Sequence, residues 1–248
     1  MLSPVQKIRA SLRHKGIRET SDLIVKNVRY LLRTYVTRAP LHLDHNFDLR
    51  FGTDTSAVVE LNQLEIESEN REHGVRYSPT YEKRFREIVN TMPIKHEEFV
   101  FIDFGSGKGK ALLLASDFPF KRIVGVEFSP DLHRIAEHNF RIYRSPTQRC
   151  MRLESVCIDA SLFILPDEPC VLYFNNPFDQ HVMACTLQNI EASMSRHPRP
   201  MFIIYVNPLW NSLFEEANWL EKVAASDHWS VYSTRQASLS SQAMLKAR

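Results

Sequence analysis

The sequence predicts an α/β fold: a doubly wound, mostly parallel sheet preceded by a helical and irregular N-terminal extension. Three observations predict it. Apolar runs of strand length alternate with helical patterns from Phe99 onward, the first run ends in a glycine-rich turn, and the last apolar segments follow one another without a helical crossover. Parallel strands covered on both faces are the economical arrangement for such a pattern.

Taken in order, Pro4 to Tyr35 repeats apolar residues at three and four positions (Leu23, Val25, Val28, Leu31, Leu32) with Lys and Arg between them, which predicts one or two amphipathic helices. Arg38 to Arg76 is rich in Asp, Asn, Glu and Thr, and its Pro40, Gly52 and Gly74 predict irregular structure. A helical pattern resumes over Thr80–Thr91 and stops before Met92-Pro93, because a residue preceding proline is pushed out of the α region. The alternation then runs strand Phe99–Asp103, helix Lys110–Asp117, strand Arg122–Val126 and helix Pro130–Tyr143. It continues with strands at Ser155–Ile158 and Val171–Phe174, helix Gln180–Ser195 and the β-branched strand Met201–Val206. Trp229–Ser233 and Ala243–Leu245 are read as a closing antiparallel pair.

With 248 residues, 44% of them hydrophobic and 24% charged, the chain can bury one substantial core. Its net charge of +2 is uneven: the first forty residues carry +7 and the rest −5. A basic arm of this kind suits phosphates, anionic lipid or an acidic partner, or else is a solvated helical cap. Cys150, Cys157, Cys170 and Cys185 form no CxxC pair and have no histidine at metal-ligand spacing, which argues against zinc. Thiols inside apolar runs fit a reducing compartment, and no 18-residue apolar run or signal-like N-terminus is present, so the expectation is a cytoplasmic protein without a membrane span.

The strongest chemical signal is Asp103-Phe104-Gly105-Ser106-Gly107-Lys108-Gly109-Lys110. A buried strand running into glycines that open a helix lets a ligand lie against bare backbone. A nicotinamide dinucleotide would want a third glycine where Lys110 stands and no acid at Asp103, which would repel a pyrophosphate. The acid suits an ammonium group instead. Ile123-Val124-Gly125-Val126-Glu127 ends a second strand in an acid, eighteen positions beyond Gly109, where a carboxylate can accept both hydroxyls of a ribose. Val156-Cys157-Ile158-Asp159 ends a third, with Asp159 suited either to an adenine amino group or to capping a turn.

These motifs resemble those of the class I, seven-stranded, Rossmann-like methyltransferases that use S-adenosyl-L-methionine (SAM), over roughly Tyr77 to the C-terminus. The resemblance implies a SAM site of Asp103, Gly105, Ser106, Gly107, Gly109, Glu127, Phe128 and Asp159, and a sheet that ends in an antiparallel hairpin. The glycine turn followed by Val-Gly-Val-Glu is most similar to the seven-strand protein lysine methyltransferases. In those enzymes a Tyr-containing loop closes over SAM, and Tyr77-Ser78-Pro79-Thr80 looks like its counterpart. Tyr77 and Thr80 are then cofactor residues, Thr80 facing the methionine carboxylate; the alternative is that Ser78-Pro79-Thr80 starts the next helix.

Val171-Leu172-Tyr173-Phe174-Asn175-Asn176-Pro177-Phe178 resembles the Asn/Asp-Pro-Pro-Tyr/Phe loop of amino methyltransferases, with Asn176 in place of the first proline. The resemblance makes Asn175, Asn176, Pro177 and Phe178 the catalytic set. Acceptors there orient a nitrogen lone pair toward the sulfonium methyl, and an aromatic face tolerates the charge that develops. The register stays open, since Asn176-Pro177-Phe178 could be the unit, or the segment could be an Asn-Pro turn. Asn207-Pro208 repeats the pattern at another strand tip, where it either borders the substrate pocket or, on the simpler reading, forms a turn. The expectation is a SAM-dependent N-methyltransferase acting on an amine or amide, with a protein lysine favoured, residues 1–76 placed as a substrate lid and 77–248 as the catalytic domain. The rivals are a methyltransferase of a small molecule or nucleic acid and a catalytically silent SAM-binding scaffold.

Overall fold

The computed structural model describes residues 45–66 and 69–234. The chain divides into two units, Met1–Leu43 and Asp44–Arg248, and every described residue belongs to the second. The amphipathic helices expected over 4–35, the basic arm and the strand expected at 243–245 lie outside the described residues.

The sheet has seven strands: β1 (Val100–Phe104), β2 (Arg122–Glu127), β3 (Leu153–Cys157), β4 (Cys170–Phe174), β5 (Met201–Val206), β6 (Leu220–Ala225) and β7 (Trp229–Thr234). Their order is β3-β2-β1-β4-β5-β7-β6. The first five are parallel; β7 pairs antiparallel with β5 and with β6. The helices are α1 (His45–Phe51), α2 (Glu82–Thr91), α3 (Lys110–Ala115), α4 (Pro130–Ile142), α5 (Gln180–Arg196) and α6 (Asn211–Glu215).

Alternation along each strand divides the core. Phe101, Ile123, Val171, Tyr173, Phe202 and Ile204 face one side, beneath Phe85, Ile88 and Val89 of α2 and Leu112 to Leu114 of α3. Ile102, Val124, Leu172, Phe174 and Ile203 face the other, beneath Val182, Met183 and Ile190 of α5. Helix starts follow local chemistry. Ser129 Oγ caps α4 by accepting from Leu132 N, with Pro130 in the first turn, and Asp179 caps α5 by accepting from His181 N (3.0 Å) and Val182 N (3.1 Å).

The closing hairpin differs from the expected pair. Trp229–Thr234 is a strand, but its antiparallel hairpin partner is Leu220–Ala225. That strand is exposed beyond Leu220 and carries a register shift between Lys222 and Ala224, so it offers no period-two apolar pattern to read. Residues 80 and 81 lie outside α2, Tyr81 being its extended N-cap, and β3 begins two residues earlier than expected and stops at Cys157. Two short helices, α1 and α6, interrupt segments expected to be irregular or unassigned; Phe47 of α1 is buried against Tyr143, which anchors it.

The strand order reverses between β1 and β4. Connections from β1 run outward to β2 and β3, then the chain returns to place β4 on the far side of β1. In open sheets of this kind ligands bind beyond the strand carboxyl ends at that switch point. The glycine turn after β1 and the Asn175–Phe178 loop after β4 flank it.

Candidate functional site

Three of the glycines in the β1 turn have positive φ: Gly105 (76°), Gly107 (53°) and Gly109 (83°). Two of these positions also bring distant segments into contact. A Cβ on Gly105 would lie 2.4 Å from Pro177 Cβ, and one on Gly107 would lie 2.1 Å from Tyr77 Cδ2. The turn is therefore seamed to the β4 loop at one glycine and to Tyr77 at the other. Gly109 caps α3. Gly105 N and Ser106 N both donate to Val126 O, fixing the turn to β2.

Glu127, at the end of β2, is buried and holds the same turn: Oε2 accepts from Gly107 N and Oε1 from Ser129 N, each at 2.8 Å. Burial pushes its carboxyl up to about 7, against the lowering effect of those backbone donors. Asp103 is buried one position before the end of β1, beside Tyr173 in the β1–β4 register. Burial, and then the Glu127 charge, hold its carboxyl well above the usual carboxylate range. Among the described residues no donor is paired with Asp103, and the buried Ser106 Oγ has no hydrogen-bond partner. Unmet polar groups beside a glycine cradle fit a ligand carrying a cation and hydroxyl groups.

A strap formed by residues 70–77 crosses the strand tips. Asn70 Nδ2 donates to Asp159 Oδ2 beyond β3 (3.0 Å), His73 Nδ1 lies 2.6 Å from Asp179 Oδ2, and Val75 N donates to Pro177 O (3.3 Å). Gly74 bridges to Phe178 and packs on Phe128, where a Cβ would meet the ring at 2.7 Å. Tyr77 exchanges backbone bonds with Val59 and donates its hydroxyl to Thr55 O (2.7 Å); its ring clusters with Phe128, Leu64, Ile66 and Leu132. The loop holding Thr55 is tied by Asp48, which accepts from Thr53, Thr55 and Ser56, and by Asp54, which is paired with the buried Lys108 at 2.7 Å. Thr80 is buried, with its Oγ1 3.5 Å from the Tyr173 hydroxyl. Asp159 is the cap of a 3₁₀ turn, Oδ1 accepting from Ser161 N and Oγ.

In the β4 loop, Asn176 has a positive φ of 47°, and so does Asn207, at 50°. A chain of hydrogen bonds fixes the side-chain amides. Arg84 can only donate, and it donates to Asn207 Oδ1 (3.3 Å); the Asn207 amide then donates to Asn175 Oδ1 (2.9 Å). The Tyr205 hydroxyl accepts from Leu209 N and Trp210 N, so its own proton goes to Asn176 Oδ1 (3.1 Å). Each Asn175 and Asn176 oxygen thus already holds one bond, and their amide N–H groups have no partner among the described residues. Phe178 is buried, and its carbonyl accepts from the Trp210 indole (3.2 Å).

The predicted residues at the ends of β1, β2 and β4, with Tyr77 and Thr80, therefore converge at the switch point, while Asp159 lies beyond β3 and bonds to Asn70 of the strap and to Ser161. Asn70, His73, Gly74, Lys108, Arg84 and Tyr205 join the site as structural partners that the sequence pattern does not announce, whereas Asn207 stands at a strand tip already singled out. Among these only Gly74 offered a signal, as a glycine in an irregular segment.

No protein-family model matches the sequence, and no curated protein matches it. Among solved structures, a 23S rRNA methyltransferase, ErmE, is similar with 12% identity over 63% of this chain and 68% of that one, at a TM-score of 0.43. The mitomycin 7-O-methyltransferase MmcR is 15% identical over 62% of this chain, which spans about half of that one (53%), with a TM-score of 0.47. An RNA methyltransferase from Salinibacter ruber, in complex with S-adenosyl-L-homocysteine, is 18% identical over 63% of this chain and 92% of that one, with a TM-score of 0.38.

Proposed function

We propose that the protein is a SAM-dependent methyltransferase whose acceptor lies against Asn175–Phe178. The observation that supports it most is the positive-φ glycine turn held between two buried carboxyls, Asp103 and Glu127, at the switch point of the sheet. In this reading Asp103 meets the ammonium of the methionine part, Glu127 the ribose hydroxyls, Thr80 the carboxylate, and Tyr77 and Phe128 the apolar wall. Gly105, Ser106, Gly107 and Gly109 present the bare backbone, and Asp159, shared with its cap and Asn70, borders the adenine end. SAM supplies a methyl group on a sulfonium, an electrophile that needs no nucleophilic side chain from the protein. The chain's contribution is to orient the acceptor, keep water out beneath the 70–77 strap, and take up developing charge on the Phe178 face.

The proposed acceptor is an amine or amide nitrogen, such as a protein lysine, resting on the second lone pairs of the Asn175 and Asn176 oxygens and on backbone carbonyls. A second reading is favoured by one observation: the amide orientations leave N–H donors, which suit an acceptor oxygen. Incubating the protein with methyl-labelled SAM and fractionated extracts, then hydrolysing the labelled product, separates the two. Acid-stable methylamines support nitrogen, base-labile methanol supports a carboxylate oxygen, and the absence of labelled product in all fractions despite tight SAM binding would support the silent scaffold.

A further inference from the structure

We infer that the end of α4 and the loop leading into β3 form a docking surface for single-stranded nucleic acid, at a face separate from the glycine turn. Arg134 to Arg152 holds five arginines, no lysine and a single acid, Glu137. Arg141, Arg144, Arg149 and Arg152 are all exposed, and none forms an ion pair among the described residues. Of the neighbouring acids, Asp117 and Glu154 are committed elsewhere, and Glu137 is exposed beside His133. Asp117 is buried and holds Arg86, Glu154 is paired with Arg122 at 3.3 Å, and Glu137 lies 3.8 Å from His133.

The loop is held rigid rather than loosely draped. Arg149 N (2.7 Å) and Cys150 N (2.9 Å) both donate to Ser116 O, Thr147 Oγ1 donates to Asp117 Oδ1 (2.9 Å), and Gln148 N donates to Ser145 O (3.2 Å). Arg144 is steadied by its own bond to Tyr143 O at 2.7 Å. Beside Arg144 lies an open groove of about 310 Å³ lined by Arg144, Ser145, Pro146, Gln148 and Met151, with Arg149 and Arg152 next in the chain to its lining residues. Met151 is 72% exposed, an apolar side chain flanked by charge.

The combination selects the partner. Guanidinium forks match phosphate oxygens, a preset loop loses little freedom on binding, and an apolar floor with a neighbouring amide suits the faces and edges of unstacked bases. An acidic protein segment would satisfy the charges but has no use for the floor. The inference does not depend on the cofactor reading, since none of these residues touches the glycine turn.

The test is fluorescence anisotropy of a labelled 12-nucleotide RNA, and of the DNA of the same sequence, against the full chain over a range of salt. Both oligonucleotides should bind. Replacing Arg141, Arg144, Arg149 and Arg152 together by Ala should weaken binding at least tenfold and flatten the log–log salt slope by about 3, the value for four single-strand phosphates released. The fourfold Lys variant should recover most of the slope, and the single Arg144→Glu variant should lower affinity without any change in melting temperature. SAM titration of the same preparations should be unaltered, which separates this proposal from the cofactor reading. Binding within twofold of the parent in the fourfold Ala variant would overturn the proposal, as would the absence of binding by the parent. Equal competition by poly-glutamate through the same arginines would assign the surface to an acidic protein instead.

Discussion

Glu127 makes folding and cofactor binding respond to pH in opposite senses. Its carboxyl is pushed up to about 7 in the folded chain from an ordinary 4.5, with burial as the largest cause. A raised carboxyl means that the folded state holds the proton over that interval. The stability contributed by this group is therefore fully present below 4.5 and is lost as pH rises to about 7. At 1.36 kcal/mol per pH unit the loss is on the order of 3 kcal/mol. Asp103, raised by burial and by the Glu127 charge, acts in the same direction and titrates together with it. Binding runs the other way, because only the ionised carboxylate can accept both hydroxyl donors, so SAM affinity should rise with pH through 7 and a proton should be released on binding. Urea denaturation from pH 4.5 to 8 on the parent and on Glu127→Gln is the assay. The substituted side chain would keep one backbone bond and turn an amide toward the other donor, lowering stability by roughly 1–3 kcal/mol at acid pH. The variant's curve should then converge on that of the parent toward pH 8. Parallel curves across the whole range would refute the reasoning.

Two further substitutions probe the seams of the site. Gly107→Ala forces a left-handed alanine, costing about 1 kcal/mol, and drives its Cβ to 2.1 Å from Tyr77; SAM affinity should fall at least tenfold, and stability should recover in part when Tyr77→Ala is added, read by calorimetry and thermal melting. Tyr205→Phe leaves Leu209 N and Trp210 N without their acceptor and frees Asn176, so stability should fall by about 2–4 kcal/mol. Methyl transfer should fall in kcat, with SAM affinity unchanged.

The sequence carries the parallel half of this fold because β1, β2, β4 and β5 are buried almost throughout, and each is a mainly apolar run, broken in β1 and β2 only by charged residues at or next to the strand ends. It hides β6, whose side chains face solvent, and the register of the hairpin. The same division runs through the site. Asp103, Glu127 and the glycines are local features at strand tips, so their spacing declares them. The strap is not local: Asn70, His73 and Gly74 are ordinary polar-loop residues until the chain folds them over β3, β4 and Phe128. The amide orientations are non-local too, since they depend on Arg84 from α2 and on Tyr205 from β5, distant in sequence from Asn175.

The central claim, that the turn between Asp103 and Glu127 is a SAM site, is tested most directly by calorimetric titration of the purified chain with SAM and, separately, with NAD. The account predicts that SAM binds, that NAD does not, and that Glu127→Ala and Asp103→Ala each weaken SAM by about 1–3 kcal/mol, the loss expected for a hydrogen bond to a charged group. A folded protein that ignores SAM, or that binds it equally well without either carboxylate, would contradict it.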